Sequence, residues 1–220
     1  MEDLRIEKFM QRVLSESSNC IDIGCHLGSM LSEIIRLSPR GSHIACEAIP
    51  YKVRWLKQKF PEVDVREIAL GDTSCQTNFY INTSMSGYSG FYKHTANNND
   101  SCEIITVQCE KLDNILPSHH QVDFIKIDVE GGELAVLRGA VNTLLRHHPI
   151  ILFECTRSGL SSYGFTSEEV FEFLTQQNSY SIFLIKDFLN NDEPLNLEKF
   201  NRALQYPFQA FNFIAVANNC

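Results

Sequence analysis

Short apolar runs alternate with amphipathic segments along the chain from Asn19 onward. This alternation is typical of βαβ units, in which buried strands form a parallel sheet and the intervening helices cover its faces. The runs that we predict as strands are NCIDIG, HIACEA, VDVREIAL, VDFIKID, PIILFEC, SIFLI and AFNFIAVA. The pattern therefore predicts an α/β fold built on one doubly wound sheet.

The segments between these runs carry apolar residues at helical spacing. Leu134 and Leu137 belong to such a face, which predicts one helix over residues 133–146. Thr166 opens a capping-box pattern that predicts the start of another helix, and we expect residues 1–18 to form an N-terminal helix. The length suits one core, and no linker or repeat is evident. We therefore expect residues 1–220 to form a single domain.

The stretch 71–101 breaks this rhythm because it is rich in Ser, Asn and Thr. It contains a small-residue loop made of Ser84, Met85, Ser86, Gly87, Tyr88, Ser89 and Gly90. Two interpretations stay open for this stretch. It is a lid or substrate loop beside a site, or it is an inert surface excursion.

The formal net charge of −8 disfavours a nucleic-acid partner, because affinity for nucleic acid rests largely on Lys and Arg. We expect a small-molecule or glycan substrate instead. The longest apolar runs are far shorter than the roughly 20 residues that span a bilayer, and MEDLRIEKFM lacks the pattern of a signal peptide. The sequence thus predicts a cytoplasmic protein without a membrane span, and it leaves the oligomeric state open.

Five of the eight cysteines lie in or beside predicted buried strands, where thiols behave as small apolar groups. This is the pattern of a reduced, intracellular protein. The chain has no CxxC pair, and its paired histidines lack a suitably spaced partner, so we predict no metal site.

The segment DIGCHLG places Asp22, Gly24 and Gly28 on a turn between a strand and a helix. Glycine lets the backbone approach a ligand closely, and helix amides can receive an anion there. The dehydrogenase fingerprint needs a glycine two residues after the first, but Cys25 and His26 occupy that interval. The turn therefore indicates a nucleotide-type site, although a structural tight turn would look the same.

Glu47 ends the second predicted strand about 20 residues after the glycine turn, where an acid can accept hydrogen bonds from ribose hydroxyls. Ala48, Ile49, Ala69 and Leu70 flank the same crevice at the strand ends. Their apolar surface could cover an adenine ring, and core packing is the alternative role.

The segment KIDVEGGE clusters acids at the C-terminal end of a central strand, the edge at which open α/β sheets bind ligands. Asp128 and Glu130 are the chemical candidates. Lys126 precedes them in an apolar strand, where an ammonium group needs a counter-charge. We expect it to pair with Asp128 or Glu154, and this pairing could be purely structural. The candidate catalytic residues are thus Asp128, Glu130 and Lys126.

Together, DIGCHLG, CEAIP, EIALGD, VDFIKIDVEGGE, LRGA and IILFE resemble the FkbM family of methyltransferases. The resemblance covers roughly residues 19–155, and KIDVEG followed by LRGA is its most specific part. It implies an S-adenosylmethionine (SAM)-dependent enzyme with a Rossmann-like, mostly parallel, seven-stranded sheet and an antiparallel C-terminal strand. The family mostly methylates hydroxyl oxygens of sugars, polyketides and related metabolites.

By position, the resemblance implies that Asp22, Gly24 and Gly28 contact the methionine end of SAM, that Glu47 contacts the ribose, and that Asp128 lies near the reacting centre. His26 stands where the family usually has Asn. It could contact the carboxylate of the cofactor or simply cap the helix.

Methyl transfer to a hydroxyl needs an aligned, dehydrated pocket and is assisted by a general base. Asp128 is the first candidate for this base, followed by Glu130 and His26. Two rival functions stay open: a nicotinamide-dependent oxidoreductase, which the missing middle glycine disfavours, and a catalytically silent SAM-binding module.

Overall fold

A seven-stranded sheet forms the centre of the computed structural model, which describes residues 2–84, 87, 89–92 and 102–218. In spatial order its strands are β3 (Asp64–Glu67), β2 (Ile44–Glu47), β1 (Cys20–Ile23), β7 (Phe124–Ile127), β8 (Ile150–Glu154), β10 (Asn212–Ala217) and β9 (Tyr180–Leu184). β10 runs antiparallel to both of its neighbours, and the other pairings are parallel. The predicted doubly wound sheet with an antiparallel C-terminal strand is therefore confirmed.

Helices cover both faces of this sheet because successive strand residues point to opposite sides. In β8, Ile151 and Phe153 pack into one core cluster and Leu152 into another. The helices are α1 (Glu2–Val13), α2 (Ser29–Leu37), α3 (Pro50–Lys59), α4 (Leu112–Ile115), α5 (Glu133–Arg138), α6 (Val141–His147), α7 (Arg157–Ser162), α8 (Ser167–Glu172), α9 (Ile185–Asn190) and α10 (Leu197–Ala203). Of the described helices, none is long and apolar enough to cross a membrane.

A second sheet of three strands lies where the sequence predicted a single long strand and a loop. The run VDVREIAL divides into two strands, β3 and β4 (Ala69–Leu70). The backbone N–H of Ile68 still donates to the carbonyl of Glu47 in the main sheet. After this residue the chain leaves that sheet, and β4 belongs to the second one. β4 lies beside β6 (Cys102–Glu110), which pairs antiparallel with β5 (Cys75–Asn82). The prediction of a loop over residues 71–101 was therefore wrong for β5.

The alternatives of a lid and an inert excursion stay open for the rest of this stretch. Met85, Ser86, Tyr88 and residues 93–101 lie outside the described residues, whereas Gly90 forms a bridge with Tyr80 in β5.

Two predicted helices also have different bounds. The predicted helix over 133–146 is two helices, because the Asp113 carboxylate accepts hydrogen bonds from the backbone N–H groups of Asn142 and Thr143 and so caps a new helix, α6. The helix predicted over 1–18 ends at Val13 instead, and the hydroxyls of Ser15 and Ser18 bond to the backbone and to each other in the following turn. The capping box at Thr166 is confirmed at the start of α8.

The turn between β1 and α2 packs tightly against the end of β7. Gly24 has a φ of +74°, and a Cβ placed there would lie 1.8 Å from the backbone oxygen of Asp128. Gly164 has almost the same φ, +73°, but a Cβ there would meet no atom within 4 Å. Substituting each glycine in turn therefore distinguishes the energetic cost of the left-handed backbone, which both share, from the cost of steric crowding, which only Gly24 would show.

We expect Gly24→Ala to lower the free energy of unfolding by on the order of 3 kcal/mol, because a methyl group would push apart the ends of β1 and β7. Gly164→Ala serves as the control and should cost only about 1–2 kcal/mol, the usual penalty for a left-handed residue. Chemical denaturation of both variants measures the difference. Equal losses would contradict the close approach of Gly24 to Asp128.

Candidate active site

A cavity of about 490 Å³ opens at the C-terminal ends of β1, β2 and β7. This is the edge at which open parallel sheets bind ligands, and the volume falls within the range of small-molecule sites. The lining residues are Ile23, Gly24, His26, Cys46, Glu47, Ala48, Ile49, Lys52, Ile68, Ala69, Leu70, Phe79, Gly87, Ser89, Phe91, Asp128, Val129, Glu130, Gly132 and Tyr163. We call this space the donor cavity, because the sequence analysis expects the methyl donor at these strand ends.

The Glu47 carboxylate holds together the two turns at one end of the donor cavity. Its Oε2 accepts the backbone N–H of His26 at 3.0 Å, and its Oε1 accepts that of Ile49 at 2.9 Å. Burial raises the pKa of Glu47, while the nearby Lys52 ammonium and these hydrogen bonds act to lower it. Each carboxylate oxygen has two lone pairs, so Glu47 can also accept hydrogen bonds from a ligand.

The apolar lining of the donor cavity, which we call the apolar wall, comes from both sheets. Ala48 and Ile49 follow β2, Ala69 and Leu70 form β4, and Phe79 lies in β5. All five side chains are largely buried, from 1% exposed for Ile49 to 9% for Phe79. The apolar wall suits a flat apolar ring, and the Glu47 carboxylate beside it suits hydroxyl groups.

Lys126 lies between two aspartates just below the floor of the donor cavity. Its Nζ lies 3.1 Å from Asp128 Oδ2 and 3.6 Å from Asp22 Oδ1, and it donates to the carbonyl of Gly24 at 3.3 Å. Burial acts to lower the pKa of Lys126, but the two carboxylates outweigh it and raise that pKa above its usual value. The predicted pair of Lys126 with Asp128 forms. The second carboxylate near Lys126 is that of Asp22, and not that of Glu154, the other partner that the sequence analysis considered.

Asp22 is fully buried, and neither of its carboxylate oxygens has a hydrogen-bond partner among the described residues. β1 and β7 pair in parallel with Asp22 opposite Lys126, so both side chains point to the same face of the sheet. Burial raises the pKa of Asp22 despite the nearby ammonium. Asp22 is thus a buried neighbour of the Lys126 ammonium and does not line the donor cavity.

Three carboxyl groups cluster at the ends of β7 and β8: Asp128, Glu130 and Glu154. Each offers an oxygen within 4.8 Å of the other two. Burial and the charge of Asp128 raise the pKa of Glu130 to about 8 and that of Glu154 to about 9. Burial also acts on Asp128, but Lys126 and a hydrogen bond with Glu154 hold its pKa below the usual value. At neutral pH the cluster therefore carries one ionised group, Asp128, and two protonated ones.

The absence of a metal at this cluster stays a prediction. Three carboxylate oxygens at such distances could surround a hard cation. However, protons on Glu130 and Glu154 already reduce the negative charge that a cation would balance.

Glu133 holds the turn that presents Glu130. Its Oε1 accepts the backbone N–H groups of Val129 and Gly131, each at 3.1 Å, and the residue is only 1% exposed. Glu130 itself has a φ of +57°, a left-handed conformation that is strained for a residue other than glycine. Glu133, the last residue of KIDVEGGE, therefore stabilises this turn.

Most of the predicted site residues meet at the donor cavity. Those that line it are Gly24, His26, Glu47, Ala48, Ile49, Ala69, Leu70, Asp128 and Glu130. Three do not: Asp22 and Lys126 form the ion pair beneath it, and Gly28 is the N-cap residue of α2. Burial lowers the pKa of His26, which favours a neutral imidazole at the cavity.

Sequence reasoning missed several lining residues. Phe79 and Phe91 lie in or near the hairpin that looked like a loop, although the alternation in NFYI signals a half-buried strand. Tyr163 follows α7, and its hydroxyl accepts the backbone N–H of Phe91 at 3.2 Å. Lys52 lies in the first turn of α3 and carries no comparable signal, because a lysine there normally points to solvent.

Comparison with known proteins supports a particular chemistry at this site. A family model described as "Methyltransferase FkbM domain" matches residues 22–182. Among curated proteins, none matches the chain in sequence.

Several solved structures are similar to the chain at low sequence identity. A methyltransferase FkbM from Methylobacillus flagellatus is 14% identical with a TM-score of 0.58; the match covers 92% of this chain and 44% of that one. A protein of Clostridium thermocellum assigned as an rRNA methylase is 11% identical with a TM-score of 0.53. The match covers 100% of this chain and 97% of that one. A protein of Streptococcus mutans assigned as a methyltransferase, solved in complex with S-adenosylhomocysteine (SAH), is 10% identical with a TM-score of 0.51. The match covers 98% of this chain and 97% of that one.

These likenesses show a shared fold. The chain spans less than half the length of the Methylobacillus protein.

We expect Lys126→Met to lower the free energy of unfolding by about 3–5 kcal/mol, because it leaves Asp22 buried without a counter-charge. Adding Asp22→Asn should recover much of this loss, as a double-mutant cycle in urea measures. Arg36→Met is the control: Arg36 lies 2.7 Å from Glu33 but is half exposed, so its loss should cost about 1 kcal/mol or less. A Lys126 variant as stable as the Arg36 variant would refute the buried pairing.

The carboxyl cluster should make stability depend on pH through Glu154. Its pKa is about 9 in the folded chain against an ordinary value of 4.5, so between these values the unfolded chain ionises while the folded chain keeps its proton. The wild-type chain should therefore lose stability relative to Glu154→Gln as the pH rises from about 5 to about 9. Urea denaturation at several pH values measures both proteins, and parallel profiles would show that Glu154 ionises normally.

Proposed function

Because this chain belongs to the FkbM methyltransferase family, whose methyl donor is SAM, we propose that it methylates a hydroxyl oxygen of a small metabolite or glycan. The observation that carries the proposal is that the donor cavity joins the Glu47 end, the apolar wall and the ionised Asp128 carboxylate in one space. The chemistry of these groups fits a nucleoside with a charged sulfur. When bound, SAM supplies an electrophilic methyl group on a cationic sulfur.

The chain's own residues would each hold a different part of the donor. Glu47 accepts hydrogen bonds from ribose hydroxyls, and Ala48, Ile49, Ala69 and Leu70 cover the adenine. Gly24 and His26 provide the turn next to the methionine end. The carboxylate of Asp128 favours a positive charge at the same edge of the cavity.

Asp128 acts as the general base. As the acceptor oxygen takes the methyl group that bound SAM would supply, it must lose its hydroxyl proton. The hydroxyl proton becomes strongly acidic in this step and passes to Asp128. The lowered pKa makes Asp128 a weak base, but a weak base can accept this proton because methylation of the oxygen makes the proton strongly acidic.

Lys126 supports this role without touching the acceptor. Its side chain is 8% exposed, and it holds the Asp128 carboxylate ionised and in place. Glu130 and Glu154 keep protons at neutral pH, so they donate hydrogen bonds and do not compete as bases.

The cellular setting that we propose is the cytoplasm. The seven cysteines that the structure describes are free thiols, and burial raises the pKa of Cys20 and Cys46 to about 12. Buried, protonated thiols are unreactive and suit a reducing compartment. A small-molecule or glycan acceptor remains part of the proposal.

Isothermal titration calorimetry with SAH tests the donor site, and transfer of an isotopic methyl label from SAM to a cell extract tests the chemistry. We expect Asp128→Asn to retain SAH binding and to lower label transfer by about 10²–10⁴-fold, the usual contribution of a general base. Asp192→Asn changes an exposed aspartate outside the donor cavity and should leave transfer unchanged.

The other outcomes separate the rival functions. A chain that binds SAH but labels nothing is a silent binding module. A melting temperature raised by NAD and not by SAM identifies an oxidoreductase. Full transfer by Asp128→Asn removes Asp128 as the base.

A further inference from the structure

A second cavity, of about 680 Å³, opens beside Glu130 and Glu154 of the carboxyl cluster. It is lined by Glu130, Glu154, Cys155, Thr156, Arg157, Ser158, Gly159, Leu204, Gln205, Tyr206, Phe208, Ala210 and Phe211. Among the described residues, Glu130 alone lines both this space and the donor cavity. The two cavities therefore meet at the carboxyl cluster, where methyl transfer would occur.

Three aromatic rings form one wall of the second cavity. Tyr206 is 87% exposed, Phe208 53% and Phe211 40%. The ring centres of Tyr206 and Phe208 lie 6.0 Å apart, and those of Phe208 and Phe211 lie 5.3 Å apart. Large rings gathered on the surface in contact with each other commonly mark a ligand-binding face. We call these three residues the aromatic wall.

The same cavity also presents carboxyl groups that can both donate and accept hydrogen bonds. Glu130 and Glu154 keep their protons at neutral pH because burial and the charge of Asp128 raise their pKa to about 8 and about 9. A protonated carboxyl offers one O–H donor and keeps acceptor capacity. This is the pattern that suits hydroxyl groups, which are also donors and acceptors.

Charge around the second cavity disfavours an anionic ligand. Asp128 is ionised within the carboxyl cluster, and its negative charge would repel an anion bound beside it. Arg157 is the single Lys or Arg among the lining residues, and its Nη2 donates to the carbonyl of Asn201 at 3.3 Å. One guanidinium does not make a phosphate-binding surface.

We propose that the second cavity holds the methyl acceptor and that this acceptor is an uncharged, hydroxylated ring such as a saccharide. The C–H face of the ring packs on the aromatic wall, and one hydroxyl reaches the carboxyl cluster at Glu130, next to the donor cavity. This assignment rests on the proposed methyltransferase function. It adds the acceptor site and excludes anionic acceptors, nucleotides and nucleic acid among them.

Saturation-transfer NMR on the full chain with saturating SAH tests the assignment. The probes are the methyl pyranosides of glucose, galactose and mannose, each compared with a charged counterpart: methyl glucuronide, methyl galacturonide and mannose 6-phosphate. We expect at least one neutral probe to receive saturation through its C–H protons and to bind at least tenfold more tightly than its charged counterpart at pH 7.

Phe208→Ala should weaken that probe at least fivefold and leave the Kd for SAH unchanged. Tyr51→Ala is the matched control, because Tyr51 is 47% exposed and lines neither cavity. Binding that survives Phe208→Ala, or that falls equally in both variants, would overturn the aromatic wall as the acceptor site.

The remaining outcomes distinguish the two proposals. A chain that binds SAH but none of the neutral probes, or that prefers the anionic ones or a short RNA, loses the acceptor assignment and keeps the donor site. A chain that does not bind SAH loses the proposed function itself. Light scattering adds one check: a dimer that Phe208→Ala dissociates would mean that a second copy covers the aromatic wall, which also overturns the assignment.

Discussion

A lysine buried between two aspartates is the interaction on which the rest of the site depends. The ammonium of Lys126 joins Asp22 on β1 to Asp128 at the end of β7, and it also bonds to the carbonyl of Gly24 in the neighbouring turn. Burying these charges separately would be far too costly, so the strand ends are held in one arrangement. The donor cavity is formed by residues that this arrangement positions.

The ion pair also divides the roles of the carboxyl groups. Because Lys126 keeps Asp128 ionised, the charge of Asp128 favours protons on Glu130 and Glu154. One basic group is thus surrounded by hydrogen-bond donors. This arrangement suits a reaction in which Asp128 accepts one proton from the acceptor while the protonated carboxyl groups bind its other hydroxyls.

The sequence predicted the main sheet, and most of the residues that it singled out at the strand ends line the donor cavity, because buried strands and their polar ends produce a strong local pattern. It did not predict that Ile68 turns the chain into a second sheet or that Asp113 begins a new helix at α6. Both depend on hydrogen bonds between residues far apart in the chain, which no local period records. The pairing of Asp22 with Lys126 is tertiary in the same way, whereas its contact with the cofactor, expected from a local motif position, stays a prediction.

The second sheet has a consequence for how the protein can diversify. Part of the apolar wall comes from β4 and β5, and the strands β5 and β6 are joined by the segment 83–101. A connection between two antiparallel strands can change length without altering the register of the seven-stranded sheet. A change in the length of this connection would therefore reshape one side of the pocket without moving the charged strand ends.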